Sequence, residues 1–394
     1  MQLQLKLATF VQAQAPISEG RLSERVISVD ALRGFNMFWI LGADGAIWAL
    51  DEMTRNKGLV IGAFGRALGY QMTHARWDGF RFYDFIFPLF IFVTGVAIAL
   101  SLPRLLEKEG LRNAYARILR RSLLLYGLGL IYYGGISQHW GDIRYLGVLQ
   151  RIGICYLFAS ILFLNFDWRG LLATVAVLLV GYWALMTFVP VPGIGSANYA
   201  PDTNLANWID AHYLPGRLWD KTRDPEGLLS TLPAIATCLI GVLAGMLLKA
   251  RRLAPEEKSL LLVGTGIVVA AAGYLWGLQF PIIKQLWTSS FVLVAGGYSL
   301  MLLGAWHHII DVWGYRRWPT VLVWIGANAI TLYFLNNVMN FERFAARFVG
   351  GDFGAMFDRL VTPGTGRFFS QTLGVAFAVA LAGFFYRRKI FLRV

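Results

Sequence analysis

Long apolar stretches separated by short polar ones dominate the chain. Runs free of Asp, Glu, Lys and Arg cover Phe85–Pro103, Leu171–Pro201, Gly227–Leu248, Ser259–Ile283, Gln285–His308, Trp318–Phe341 and Phe368–Tyr386. Three shorter runs are Gly34–Leu50, interrupted by Asp44, then Ser122–Gln138 and Ile152–Phe166. A helix needs about 20 mostly apolar residues to cross a bilayer. The pattern therefore predicts an all-α polytopic membrane protein with about ten transmembrane helices.

Composition agrees. Of 394 residues, 57% are hydrophobic and 15% charged, against about 25% charged in soluble domains. That excludes a water-soluble globule, a disordered chain and a coiled coil. The net charge of +13 would raise nucleic acid as a partner for a soluble protein. Here it has a simpler home in loops beside anionic lipid, and no nucleic-acid partner is expected.

Loop charge also predicts orientation. With the N-terminus inside, the inward segments hold 20 Lys/Arg residues and the outward loops about 14. The positive-inside rule then puts both termini in the cytoplasm. Residues 1–24 have no apolar core of useful length and read as a cytoplasmic lead. Residues 25–394 read as one transmembrane domain. Its long outer loops are expected at about 51–83, 190–226 and 340–367, and long ordered loops usually carry function.

Ionisable groups inside a bilayer are costly and mark candidate sites. Asp30 and Arg33 open the first span, three residues apart on one face. They read either as a structural ion pair or as an anion site in which Asp30 orients Arg33. Gln150 and Arg151 open the fourth span, where Arg151 needs an anionic ligand or an acidic side chain. Asp44 interrupts the first span near its outer end and must be paired or protonated.

The richest outer segment is His74-Ala-Arg-Trp-Asp-Gly-Phe-Arg-Phe-Tyr-Asp-Phe-Ile-Phe-Pro-Leu-Phe90. Imidazole titrates near neutrality, so His74 is the best acid–base candidate. Trp77, Asp78, Tyr83 and Asp84 crowd it. Asp84 also reads as a helix cap, and Pro88 predicts a kink. Asp224-Pro-Glu-Gly-Leu-Leu229 brings two carboxylates, Asp224 and Glu226, to the outer mouth of the sixth span. They read as a turn before a helix or as ligands for an ammonium or sugar hydroxyls. Trp287 and Thr288 lie at another outer helix end, and Asn328 puts an amide deep in the ninth span. Cys155 and Cys238 sit in apolar runs, with neither disulfide nor metal-ligand spacing. No metal is expected.

Together, D-A-L-R-G, H-x-x-W-x-G-x(4)-D-x-x-F-P-x-F, G-V-L-Q-R-I-G, D-P-E-G-L-L, L-W-T-S-S-F and G-A-N-A-I occur in this order over residues 25–390. The series resembles the bacterial branch of the heparan-α-glucosaminide N-acetyltransferase family, within the transmembrane acyltransferases. The resemblance implies acetyl transfer from cytoplasmic acetyl-CoA, without a metal, to an amino sugar on the far side of the membrane. It assigns the catalytic role to His74, as base or acetyl carrier, with Asp44 at the position that supports the histidine; Asp84 is a further catalytic candidate. The family often has Asn where this chain has Asp44. Arg33, Gln150, Arg151, Trp287, Thr288 and Asn328 become candidates for the acetyl-CoA path. Trp77, Asp78, Asp224 and Glu226 become candidates for the acceptor. A bacterial inner membrane and a homodimer are the corresponding expectations. An O-acyltransferase of a cell-envelope glycan would use the same histidine. A transporter of amino sugars would fit the spans and buried charges, though no paired Gly/Pro-broken helices appear in two matching halves.

Overall fold

A computed structural model describes residues 26–55 and 57–391, and these are helical wherever they are regular. The expected lead over residues 1–24 lies outside the described residues. In chain order the helices are α1 (Ile27–Phe38), α2 (Asp44–Thr54), α3 (Gly58–Gln71), α4 (Phe82–Tyr132), α5 (Val148–Asn165), α6 (Trp168–Phe188), α7 (Leu205–Tyr213), α8 (Thr231–Lys249), α9 (Pro255–Gly277), α10 (Ser289–Trp306), α11 (Thr320–Ala327), α12 (Ala329–Met339), α13 (Phe341–Val349), α14 (Asp352–Leu360) and α15 (Thr365–Arg387).

Seven helices among the described residues are long and apolar enough to cross a membrane. The count is eight if α11 and α12, bent by 77° at their break, form one span. The ten expected runs map onto these helices with breaks at two places. The first apolar run is divided by Gly42, whose φ of 115° breaks the helix into α1 and α2, each too short to span alone. The runs Phe85–Pro103 and Ser122–Gln138 mostly share the 51-residue α4. This helix keeps helical dihedrals through Pro88 and Pro103 and breaks at Gly110, with φ 76° and ψ 172°.

The outer segments expected as loops are partly helical. Residues 51–83 contain α3, which folds back on α2 with Gly62, Gly65 and Gly69 on the contact face. Residues 190–226 contain α7, and residues 340–367 contain α13 and α14.

Glycine lets the central helices touch backbone to backbone, as lipid-embedded packing favours. A Cβ on Gly95 of α4 would stand 1.9 Å from the Cys238 carbonyl oxygen of α8. One on Gly241 would stand 2.0 Å from the Phe92 carbonyl oxygen. Gly34 of α1 meets Leu322 of α11 in the same way. The main core joins Leu89, Phe92 and Val96 of α4 to Ile152 of α5, Leu239 of α8 and Phe291 of α10. In contrast, α6 and α9 expose Leu172, Val177, Leu260, Val268 and Leu275, the face an apolar helix presents to lipid.

Candidate active site

Asp84 lies in the first turn of α4 and is fully buried. Its Oδ2 accepts the backbone N–H groups of Ala75 and Arg81, each at 3.1 Å. Oδ1 lies 2.8 Å from His74 Nδ1. A carboxylate accepts, which assigns the shared proton to Nδ1 and makes Nε2 the accepting nitrogen of the ring. His74 itself is half exposed. The Arg81 guanidinium donates to the Thr73 hydroxyl at 2.6 Å and the His74 carbonyl at 3.0 Å, while lying over the Tyr70 ring. It thus holds the backbone of the histidine loop. The cap expected of Asp84 and its contact with His74 are one carboxylate in two simultaneous uses.

A second chain segment completes the group. Gly79 N–H donates to the Ile282 carbonyl at 2.9 Å, and Asp78 pairs antiparallel with Ile283. This pairing brings Lys284 to the histidine. Its Nζ lies 2.9 Å from Nδ1 and 3.1 Å from Nε2 of His74, and 3.7 Å from Asp84 Oδ1. Burial pulls the Lys284 ammonium below the ordinary lysine range, opposed by the carboxylates of Asp84 and Glu226. Sequence reading overlooked Lys284. The available signal was a lone cation between two apolar runs.

Asp44 reaches the histidine through an intermediary. Tyr83 interacts electrostatically with the Asp44 carboxylate, and its ring lies 4.9 Å from the imidazole, centroid to centroid. The break at Gly42 puts Asp44 at the start of α2, where it also accepts from Gly45 N–H at 2.8 Å. Trp77 donates from Nε1 to the Tyr199 carbonyl at 2.8 Å, and Arg223 lies over its ring. Trp77 thereby ties the histidine loop to the 190–226 segment.

A cavity of about 440 Å³ adjoins this group between α2, α3 and α15. Trp48, Asp51, Arg55, Arg66, Thr73 and Arg367 line it. Trp48 Nε1 and Asp51 Oδ1 are buried there with no hydrogen-bond partner among the described residues. None of these residues stood out in the sequence, because they come from three separate helices.

Asp224 and Glu226 belong to a different cluster. Arg144 donates to Asp224 through Nε at 3.2 Å and Nη2 at 2.8 Å, and also to Glu226. All three are buried. Tyr133 and Trp219 enclose the guanidinium, each ring 4.5 Å from it. Burial opposes the Arg144 charge, yet Asp224 and Glu226 hold its pKa above the ordinary arginine value. Burial pushes the Glu226 carboxyl up against the pull of Arg144 and Arg151. Arg144 was also overlooked in the sequence.

The candidates for the acetyl-CoA path divide into two groups. Gln150 donates to the Arg144 carbonyl at 3.3 Å. Arg151 is fully buried and donates from Nη2 to the Gly227 carbonyl at 3.0 Å and to the Ser230 hydroxyl. Its Nε and Nη1 have no hydrogen-bond partner among the described residues, and its guanidinium faces the Trp287 ring at 5.1 Å. Trp287 adopts a left-handed φ of 53°, which turns the chain so that the Thr288 hydroxyl caps α10. Arg33 and Asn328 lie apart from these, where α1 packs on α11. Arg33 is 3.4 Å from Asp30. Asn328 sits at the α11–α12 break, its buried amide without a hydrogen-bond partner among the described residues.

Residues 25–274 match the family model described as heparan-alpha-glucosaminide N-acetyltransferase, catalytic. The match includes His74, Asp84 and Asp44 and stops short of Lys284. The chain is 26% identical over 349 residues to the human heparan-alpha-glucosaminide N-acetyltransferase, covering 70% of this chain and 51% of the relative. It is 25% identical over 350 residues to the mouse protein of that name, covering 70% and 52%. The chain thus spans about half the length of the curated relatives it matches. With the family model covering more than half of the chain, this protein belongs to the heparan-alpha-glucosaminide N-acetyltransferase catalytic family.

Proposed function

We propose that this protein is a transmembrane N-acetyltransferase. It moves acetyl from cytoplasmic acetyl-CoA to the amine of a glucosamine-type sugar on the outer side. The observation that carries this reading is the His74–Asp84 hydrogen bond at 2.8 Å, inside the family match. The acceptor amine gives its proton to His74 Nε2 as its nitrogen bonds to the acetyl carbon. The carbon–sulfur bond then breaks, and the CoA thiolate takes the proton. A base suited to neutral pH fits the first step, and Asp84 supports the transient imidazolium. The outer cavity has the size of a small-ligand site and offers Asp51, Trp48 and Thr73 to the acceptor. Loop charge supports the orientation, with both termini in the cytoplasm. The buried Arg151–Trp287 contact supports a path for the pantetheine arm between the helices.

The test is acetyl transfer by purified protein in detergent, with labelled acetyl-CoA and a panel of amino sugars. Wild type is expected to label a glucosamine derivative. His74→Ala is expected to bind acetyl-CoA and label none. Transfer only to a hydroxyl acceptor would replace the amine with an O-acylation reading. Absence of acetyl-CoA binding would defeat acyl transfer and bring a transporter forward.

A further inference from the structure

A surface lysine samples many rotamers, whereas the side chain of Lys284 is only 17% exposed. Its backbone is held by the Gly79–Ile282 hydrogen bond and by the buried side chains of Phe280, Ile283 and Leu286. A lysine placed only to neutralise Asp84 would sit closest to the carboxylate. The order here is reversed: Nζ is 2.9 and 3.1 Å from the two imidazole nitrogens but 3.7 Å from Asp84 Oδ1. The other cation at the loop, Arg81, is engaged with Thr73, the His74 carbonyl and the Tyr70 ring. The ammonium therefore lies beside both ring nitrogens, 3.1 Å from the one that would receive the amine proton.

We propose that Lys284 is a catalytic residue whose ammonium stabilises the oxyanion formed on the acetyl carbonyl. This rests on the acetyl-transfer reading. When the amine attacks next to His74 Nε2, the carbonyl π pair moves onto oxygen and the amine proton moves to Nε2. The Lys284 ammonium donates a hydrogen bond to that oxygen without losing its proton. The oxygen pair then re-forms the carbonyl, and the carbon–sulfur bond releases CoA thiolate, which takes the proton from His74. Preorganised positive charge at a developing oxyanion acts strongly in a partly dry site, because little reorganisation is needed as the charge appears. Burial also makes Lys284 a better donor, since an ammonium pulled below its ordinary range shares its proton more readily.

The experiment compares Lys284→Met, Lys284→Gln and Lys284→Arg with wild type. It reads kcat, KM and Kd for acetyl-CoA, and thermal melting in detergent. Lys284→Met is expected to lose about 10²–10³ in kcat while its acetyl-CoA affinity stays within about twofold. Lys284→Gln keeps a donor without the charge and serves if the methionine variant does not fold. It is expected to lose at least about tenfold in kcat. Lys284→Arg restores the charge and is expected to exceed both variants. Wild-type kcat in the folded uncharged variants would overturn the assignment. So would parallel loss of acetyl-CoA binding and melting temperature, or Lys284→Arg no better than Lys284→Met. Wild type without any transfer would defeat the parent reading, and this assignment with it.

Discussion

Asp84 divides its two oxygens between backbone and imidazole: Oδ2 takes the N–H groups of Ala75 and Arg81, and Oδ1 faces His74 Nδ1 at 2.8 Å. The same atoms that start α4 thus select the tautomer of His74. A helix cap and the partner of the imidazole are one group here, so the loop cannot loosen without disturbing His74.

Asp84→Asn keeps the shape and removes the charge. Its amide favours the other tautomer and no longer supports an imidazolium. The expected result is a fall in kcat of about 10²–10⁴, with acetyl-CoA affinity near that of wild type. Single-turnover kinetics with labelled acetyl-CoA checks it. A kcat within a few-fold of wild type would remove Asp84 from the chemistry.

Arg144 neutralises two buried carboxylates, Asp224 and Glu226. Arg144→Met leaves both without their cation, at a cost of about 3–5 kcal/mol. Thermal melting in detergent should show a large loss. Adding Asp224→Asn and Glu226→Gln to the same chain should recover much of it, because the stranded charges are gone. If melting is unchanged and only acceptor KM rises, the cluster serves the acceptor instead of the fold.

Gly95→Ala places a methyl group 1.9 Å from the Cys238 carbonyl oxygen. Backbone cannot yield there as a flexible side chain would, so α4 and α8 must separate. The expected cost is about 1–3 kcal/mol or more, read as a lower melting temperature and a smaller yield of monodisperse protein. Gly127→Ala, with nothing near its Cβ, is the control and should behave as wild type.

Asp210 accepts from Leu228 N–H at 2.8 Å, and burial pushes its carboxyl up to about 7. A folded-state value above the unfolded one means that the folded protein holds the proton longer. The stability this gives is complete below the ordinary carboxylate range, declines as pH rises, and is lost once pH passes about 7. Asp210→Asn keeps an acceptor for Leu228 and never ionises. Its melting temperature relative to wild type should rise by a few degrees between about pH 5 and pH 8. A pH-independent difference would contradict the buried, protonatable carboxyl.

Much of the helical architecture was legible in the sequence, because apolar periodicity and length are local properties that lipid enforces along each segment. His74 and Asp84 were legible as well, since they lie ten residues apart in one polar segment. Helix breaks were less so. Hydropathy does not distinguish a straight run from one turned at Gly42 or Gly110, where positive φ sets the direction. How the apolar runs divide into spans depends on those breaks.

What the sequence alone determined is therefore the solvent, the helical class, the family motifs and the histidine. The tertiary structure decided which distant residues surround that histidine. Lys284 lies 210 positions away and arrives through a backbone pairing at Gly79–Ile282. Arg144 meets Asp224 and Glu226 across about 80 residues. The cavity beside the histidine loop draws on α2, α3 and α15. Charge pairing acts through space, and nothing in a one-dimensional pattern records which buried cation will meet which carboxylate.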